Sequence, residues 1–191
     1  SRFNLLAESG VLFARHAQVM REIFMGELAQ NFVPHQNDVQ TYLRQIQGKS
    51  AALFGLAAEV GATLGQVDVA HASEFGRSLG MSFQIIDDVL DFTSTDAQLL
   101  KPIDQDLKNG VYSLPIIYAL STGGAQLAGL VQSSSQRAAA FAEIKRLGVP
   151  PAQQLAITYQ QQALAALADF PSGANKDHLT AIAELVLTRK V

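Results

Sequence analysis

Cysteine is absent from the 191 residues, and charged residues make up only 16 % of them. Without cysteine the chain can form no disulfide framework, no thiolate metal site and no cysteine nucleophile. The formal net charge is −3, so there is no basic stripe of the kind that binds nucleic acid. No uninterrupted apolar run approaches the length of about 18 residues that suggests a membrane-spanning helix, and the opening residues lack a signal-peptide pattern. We therefore expect a cytoplasmic protein without a transmembrane segment and without a nucleic-acid partner.

Hydrophobic residues form 48 % of the chain, which is enough for one domain with a substantial core. Apolar side chains recur at helical spacing along the whole sequence, and no strand pattern, internal repeat or interdomain linker is found. The sequence therefore predicts an all-α fold in which 1–191 is a single helical domain. The predicted helices are 2–31, a short helix through Tyr42 and Ile46, 51–64, 69–93, 116–120, 124–132, 136–147, 152–169 and 175–190.

Glycine and proline predict where these helices end. Gly48-Lys49-Ser50 is expected to interrupt the second helix, Gly123-Gly124 to form a turn, and residues 148–151, Gly-Val-Pro-Pro, to separate two helices. Other local signals are Asn37 or Asp38 as a helix N-cap, Asp68 as a second N-cap, and Gly76 and Gly80 as a site of close helix–helix approach.

Residues 83–92 carry the main chemical signal. On a helix Gln84, Asp87, Asp88 and Asp91 fall at i, i+3, i+4 and i+7, so they share one face. Apolar side chains cover the rest of the circumference, and a helix that is apolar on most sides is normally buried. The pattern therefore predicts that the carboxylates line an internal cavity. The alternative is an acidic solvated face or a fortuitous cluster.

The carboxylates repel one another, so a cation is expected among them. Mg²⁺ suits this position because it takes oxygen ligands and completes its shell with water and substrate phosphate. Lys49 lies between a glycine and a hydroxyl, where an ammonium group could contact a diphosphate oxygen, or it is an ordinary surface lysine. Lys101 could reach over the acidic cavity in the same way, or form a surface ion pair with nearby aspartates. Glu27 could line the cavity or belong to a capping and solvation cluster.

Several of these segments occur in the order typical of one enzyme family. From about residue 2 to the C-terminus the sequence resembles the trans-isoprenyl diphosphate synthases. The matching segments are 83–91 for the second aspartate-rich motif, Lys49-Ser50 for a Lys-Thr helix break, Leu100-Lys101-Pro102 for a Gly-Lys-Pro loop, 106–115 for an Asp-Leu…Leu-Pro block, and Gly26-Glu27 for a Gly-Glu or Gly-Gln pair.

The resemblance implies a helical bundle around a deep central cavity and a prenyl transfer reaction. An allylic diphosphate ionises with the help of Mg²⁺, isopentenyl diphosphate attacks the allylic cation, and a proton leaves. Apolar walls would protect the cation from water. The implied roles are metal binding by Asp87 and Asp91, direct or water-mediated metal binding by Asp88, diphosphate contact by Lys49 and Lys101, a place along the cation's path for Gln84 and Ser50, and substrate binding by Glu27.

The sequence also departs from the family pattern. Ser50 replaces a threonine, Leu100 replaces a glycine, and Val111 stands where many members carry a basic residue. The first aspartate-rich motif and the N-terminal helices of the family are absent from this sequence. We therefore expect either the C-terminal part of a longer synthase or a chain completed by a second polypeptide, and no turnover by the 191 residues alone.

Three functional hypotheses remain open. The first is a prenyltransferase, usually homodimeric in this family, with a heteromer as the alternative assembly. The second is a non-catalytic subunit of a heteromeric prenyl synthase, and the third is a terpene cyclase.

Overall fold

The computed structural model describes residues 10, 13–25, 28, 38–93, 107 and 110–188. These residues are predominantly helical and contain no strand, so the predicted all-α fold is confirmed. A π-helical turn, Gln47–Ala51, connects the second and third helices, and a 3-10 turn, Ser134–Gln136, precedes the sixth. In chain order the helices are α1 (13–25), α2 (Val39–Ile46), α3 (Ala52–Gly65), α4 (Val69–Thr93), α5 (Leu114–Gln132), α6 (Arg137–Ala166) and α7 (Ala174–Thr188).

Two aspartates begin helices as their positions in the sequence predict. The Asp38 side chain accepts a hydrogen bond from the backbone N–H of Thr41 at 2.8 Å, and the Asp68 side chain accepts one from the N–H of His71 at the same distance. Each bond satisfies one of the N–H groups that the first turn of a helix leaves without an intrahelical partner.

Helix α4 is the centre of the described fold. It packs against α2, α3, α5, α6 and α7, and its apolar side chains Ile85, Val89 and Phe92 are at most 2 % exposed. The hydroxyl of Ser82, also fully buried, donates to the carbonyl oxygen of Ala156 on α6 at 2.9 Å. This burial on nearly all sides agrees with the apolar circumference that the sequence predicted, and it leaves one polar face of α4 toward α2 and the start of α5.

Glycines allow α3 and α4 to approach closely. A methyl group on Gly80 would lie 2.7 Å from the Cα atom of Ala51, and one on Gly76 would overlap the carbonyl oxygen of Phe54. Real Cβ atoms do not approach other heavy atoms so closely, so both positions require glycine at this helix spacing. The predicted close approach is confirmed, and it brings the π-helical turn against the polar face of α4.

The predicted helix break at Gly48-Lys49-Ser50 was wrong. The chain stays helical from Val39 to Gly65, and it widens into the π-helical turn at these residues. A π turn adds a residue to the helical repeat and is frequent at functional sites. It keeps Lys49 and Ser50 on a rigid element, while it changes the direction in which their side chains leave the helix.

The predicted separation at residues 148–151 was also wrong. Helix α6 runs without interruption through Pro150 and Pro151. Proline inside a helix costs about 3 kcal/mol, because it removes a hydrogen bond and clashes with the preceding turn. Val149 and Ala152 are buried beside the proline pair, so tertiary packing overrides the local preference here. Gly148 has a packing role instead, because a methyl group there would overlap the carbonyl oxygen of Pro115 on α5.

Helix α5 is long and apolar enough, by length and composition, to span a membrane. However, its backbone leaves the helical region at Gly124, where φ is 54° and ψ is −146°. This kink occurs where Gly123-Gly124 was predicted to form a turn, and neither part reaches the length of about 20 residues that a bilayer requires. Side chains such as Leu114, Ile116 and Ile117 lie in the core, so α5 is a core helix of the bundle.

Candidate functional site

A cleft of about 140 Å³ lies between α2, the π-helical turn, α4 and the start of α5. Polar side chains and apolar side chains contribute to its wall. The residues that line it are Tyr42, Gln45, Ile46, Lys49, Gln84, Asp88, Asp91, Phe92, Val111, Tyr112, Ser113 and Ile116.

Four residues that the sequence singled out converge on this cleft. Lys49 comes from the π-helical turn, whereas Gln84, Asp88 and Asp91 come from successive turns of α4. The arrangement agrees with the cavity predicted from the polar face of α4. It also places a lysine on the wall that faces the carboxylates.

The remaining predicted site residues are distributed differently. The side chain of Ser50 joins the site through Gln84, as described below. Asp87 is exposed and does not line the cleft. Lys101 and Glu27 lie outside the described residues, so their roles stay predictions.

The carboxylate of Asp88 is the hub of a hydrogen-bond network. Its Oδ2 atom accepts a bond from the hydroxyl of Tyr42 at 2.7 Å and one from the backbone N–H of Leu114 at 3.3 Å. Its Oδ1 atom accepts a bond from the amide nitrogen of Gln84 at 3.1 Å. A carboxylate has about four acceptor positions, so donors from three parts of the chain occupy most of them. The contact with Leu114 also places a negative charge at the N-terminus of α5, where the helix dipole favours it.

Desolvation raises the pKa of Asp88 to about 6. The hydrogen bonds from Tyr42, Gln84 and Leu114 oppose this rise, since they favour the charged form, whereas the nearby charge of Asp87 adds to it. Burial and the Asp88 charge in turn raise the pKa of Tyr42 well above its usual value of 10.0. The tyrosine is therefore a hydrogen-bond donor at neutral pH.

Gln84 connects this hub to the π-helical turn. Its carbonyl oxygen accepts a bond from the hydroxyl of Ser50 at 2.6 Å, and its amide group donates to Asp88. The orientation of the amide is fixed by these two neighbours, one of which is a donor and the other an acceptor. Ser50, Gln84 and Asp88 thus form a continuous polar row, of which Gln84 and Asp88 line the cleft.

The sequence analysis missed Tyr42 as a site residue. Tyr42, Gln45 and Lys49 occur at i, i+3 and i+7, a spacing that could have indicated a shared face. The pairing of Tyr42 with Asp88 joins residues far apart in the sequence, and no periodic pattern reveals such a pairing. Residues 111–113 were part of a predicted block, but their place in the wall of the cleft follows only from the fold.

The carboxylates of α4 were also predicted to bind a metal ion together. Among the described residues no group of three or more aspartate, glutamate or histidine side chains converges in the way that a complete metal site requires. Mg²⁺ does not need such a group, because it is commonly held by one or two carboxylates, several waters and substrate phosphate. Asp87 and Asp91 supply hard oxygen donors of this type. Asp88 is engaged by protein donors, which favours the water-mediated alternative for it.

Comparison with known proteins agrees with this site. Residues 3–147 match the model of the polyprenyl synthetase family. The chain belongs to this family. Its similarity to other polyprenyl synthetases extends over most of its length, including all of α4.

The heptaprenyl diphosphate synthase component 2 of Bacillus subtilis is 34 % identical over 185 residues, which are 91 % of this chain and 53 % of the relative. The chain therefore spans about half the length of this relative. Solved structures agree on the fold. A geranylgeranyl pyrophosphate synthase from Lactobacillus brevis, complexed with citrate, has a TM-score of 0.86 at 30 % identity, over 94 % of this chain and 62 % of that one. A Caulobacter crescentus polyprenyl synthase, complexed with calcium and isoprenyl diphosphate, has a TM-score of 0.83 at 27 % identity, over 99 % and 62 % of the two chains.

Proposed function

We propose that this chain provides the diphosphate-binding half of a prenyltransferase site. In the proposed reaction an allylic diphosphate loses its diphosphate group, isopentenyl diphosphate attacks the allylic cation through its double bond, and a proton leaves. The main support is the convergence of Lys49 and the carboxylate face of α4 on one cleft, in a member of the polyprenyl synthetase family. The similar polyprenyl synthase from Caulobacter crescentus has been solved in complex with isoprenyl diphosphate and calcium, which is a divalent cation.

The side chains of the cleft suit the departure of a diphosphate group. Lys49 provides a compact positive charge that can contact a phosphate oxygen. Ser50 and Gln84 form a row of neutral dipoles beside it, where they could stabilise a developing cation without reacting with it. The apolar side chains of Ile46, Phe92 and Ile116 line the same cleft, and they would exclude the water that quenches a cation.

Asp87 and Asp91 would hold Mg²⁺ in this proposal. When bound, Mg²⁺ would neutralise the negative charge that grows on the departing diphosphate. The carboxylates lie one helical turn apart on α4, and two carboxylates together with water and substrate phosphate make an ordinary Mg²⁺ shell. The calcium in the Caulobacter crescentus relative is a cation of the same hard, oxygen-binding type.

The binding step can be tested without turnover. Isothermal titration calorimetry would measure the affinity of the chain for inorganic pyrophosphate with and without Mg²⁺. We expect Mg²⁺-dependent binding, and a loss of at least tenfold in affinity for Lys49→Ala and for Asp91→Asn, because each removes a charged contact worth about 1.5–3 kcal/mol. Lys145→Ala and Asp169→Asn are matched controls, since both residues are exposed and neither lines the cleft. Binding that is independent of Mg²⁺, or equal losses in the controls, would contradict the proposal.

A heteromeric synthase is the second candidate. Its support is the similarity to heptaprenyl diphosphate synthase component 2 of Bacillus subtilis, whose name describes one component of an assembly. Large apolar side chains are also exposed on α1 and α3, among them Phe13 at 76 %, Phe24 at 66 % and Leu64 at 71 %. Exposed apolar groups of this size favour association with another protein surface. We propose that the working enzyme is an assembly located in the cytoplasm, either a homodimer or a heteromer.

Light scattering after size-exclusion chromatography would decide between the two assemblies. A homodimer predicts twice the mass of the chain, and Phe24→Glu should shift it toward the monomer. A heteromer predicts a chain that gains prenyltransferase activity only after a second polypeptide is added. A monomer that remains inactive with every cellular fraction would contradict both.

A further inference from the structure

Tyr42 is a buried residue in the wall of the cleft, and its hydroxyl donates a hydrogen bond to a residue on another helix. Its side chain is only 6 % exposed, and the hydroxyl is held 2.7 Å from Oδ2 of Asp88. The apolar ring packs in the main core, so the hydroxyl has a fixed approach to the carboxylate. Such a charge-assisted bond is about twice as strong as one between neutral groups.

A second contact joins the π-helical turn to α4, on the other side of Lys49 from Tyr42. The hydroxyl of Ser50 donates to Gln84 at 2.6 Å, and Gln84 donates to Asp88 at 3.1 Å. The hydrogen bonds therefore form a closed ring, which runs from Tyr42 through Asp88 and Gln84 to Ser50 and returns along the backbone of α2 and the π-helical turn. Lys49 lies within this returning segment, so both ends of its segment are fastened to α4.

The ring explains how a π turn can hold a charged residue in a defined place. A π turn has weaker intrinsic support than an α-helix and is rare except where its surroundings stabilise it. Here Ala51 contacts α4 at the close approach of Gly80, while the ring fixes the polar side of the turn. Release of Tyr42 would remove the contact that precedes the turn, and only the contacts at Ser50 and Ala51, in the second half of the turn, would remain.

From this geometry we propose that Tyr42 is a positioning residue, which acts through Asp88 to hold Lys49 and the π-helical turn against the carboxylate face of α4. The inference rests on the proposed function, because it assigns Tyr42 and Asp88 the task of orienting the diphosphate contact. It also gives Asp88 a role distinct from that of Asp87 and Asp91. Asp88 is the anchor for a neighbouring helix, and its contact with the metal ion is at most through water.

The test uses Tyr42→Phe, which removes only the hydroxyl, and two independent readouts. Hydrogen–deuterium exchange of the amides of residues 47–52 reports on the π-helical turn whether or not the chain binds a ligand. Titration calorimetry with inorganic pyrophosphate and Mg²⁺ reports on the orientation of Lys49. The matched control is Tyr118→Phe, because Tyr118 also lies against the core but its hydroxyl makes no hydrogen bond within the described part of the chain.

For Tyr42→Phe we expect amide exchange in residues 47–52 to become at least five times faster. We expect the affinity for pyrophosphate to fall about tenfold, because the variant loses a hydrogen bond to a charged group. Ser50→Ala should weaken binding similarly, and the double variant should lose less than the product of the two changes, since either substitution opens the same ring. Tyr118→Phe should change neither readout. A merely structural tyrosine would lower stability, while the folded protein would keep its affinity.

The outcomes separate this inference from the proposed function. If the unsubstituted chain fails to bind pyrophosphate with Mg²⁺, the proposed function fails, and exchange in residues 47–52 alone decides whether the ring holds the turn. If the chain binds but Tyr42→Phe binds within twofold of it, the positioning role is overturned. Losses that multiply in the double variant would overturn the closed ring. Should Tyr42→Phe fail to fold, Ser50→Ala provides the same comparison from the opposite end.

Discussion

The contact between α5 and α6 leads to a quantitative prediction at Gly148. A Cβ atom at this position would lie 2.6 Å from the carbonyl carbon and 3.0 Å from the Cα atom of Pro115, and it would overlap the carbonyl oxygen. These are backbone atoms in the first turn of α5, so no side-chain rotation can relieve the overlap. Gly148→Ala must therefore separate the two helices or displace the start of α5.

The expected loss can be estimated from two opposing effects. Overpacking in a core typically costs 1–3 kcal/mol, and a backbone obstacle places this substitution at the upper end of about 3 kcal/mol. Alanine is favoured over glycine in a helix by about 1 kcal/mol. We therefore expect Gly148→Ala to lower the free energy of unfolding by about 2 kcal/mol. The matched control is Gly61→Ala on α3, where a methyl group would meet nothing within 4 Å, so the helical preference alone should stabilise the protein by about 0.5–1 kcal/mol.

Urea denaturation followed by circular dichroism would measure both variants. For a slope of about 2 kcal/mol/M, the midpoint should fall by about 1 M for Gly148→Ala and rise slightly for Gly61→Ala. The two substitutions are chemically identical, so the opposite signs isolate the packing effect. Stability of Gly148→Ala at or above that of the unsubstituted chain would refute the close approach of α5 and α6.

Other contacts give further predictions. Arg15 donates hydrogen bonds to the carboxylate of Glu59 at 2.7 and 2.9 Å, and they lower the pKa of Glu59 from its usual 4.5. Their stabilising effect is therefore fully present above pH 4.5, and it is lost as the pH falls through the lowered pKa. Glu59→Gln should be about 2 kcal/mol less stable at pH 7. Its urea midpoint should converge with that of the unsubstituted chain as the pH falls below 4.5 and through the lowered pKa. Midpoints that stay a constant distance apart over this range would contradict the prediction. Ser82→Ala should cost about 1 kcal/mol in the same assay, because it removes the bond to Ala156. Asp38→Ala should reduce helix content at the start of α2, as measured by amide exchange, since the N-cap bond is lost.

Periodic patterns predicted the helices well, and tertiary packing explains the exceptions. The acidic helix, its caps and its glycine contacts follow from local spacing and side-chain size. Pro150 and Pro151 indicated a break, yet the burial of Val149 and Ala152 keeps the chain helical there. Local preference is only one contribution to the free energy, and a buried surface on both sides of a proline can exceed it.

The part of the candidate site that depends on local sequence spacing was predictable, and the part that depends on contacts between helices was not. Four side chains on one helical face, and a lysine beside a glycine, are local features that the sequence displays directly. The π-helical turn was interpreted as a break, because a glycine there suggests flexibility and the stabilising contacts come from α4. Tyr42 was missed because its partner lies on another helix, and the geometry that joins them exists only after the chain has folded.

The acidic face itself provides the last prediction, since its aspartates have different surroundings. Asp88 accepts bonds from Tyr42, Gln84 and Leu114, and Asp88→Ala would leave these donors without their acceptor. Each buried donor left unsatisfied costs about 1–3 kcal/mol. Removal of the desolvated charge of Asp88 offsets part of this combined cost. We therefore expect Asp88→Ala to lower the free energy of unfolding by about 2–3 kcal/mol. Asp87 is exposed, and Asp87→Ala should change stability by less than about 0.5 kcal/mol while it weakens Mg²⁺-dependent pyrophosphate binding. Urea denaturation and calorimetry on the two variants would measure both effects. Equal stability losses would mean that the carboxylates share one role, and that Asp88 is not the anchor described here.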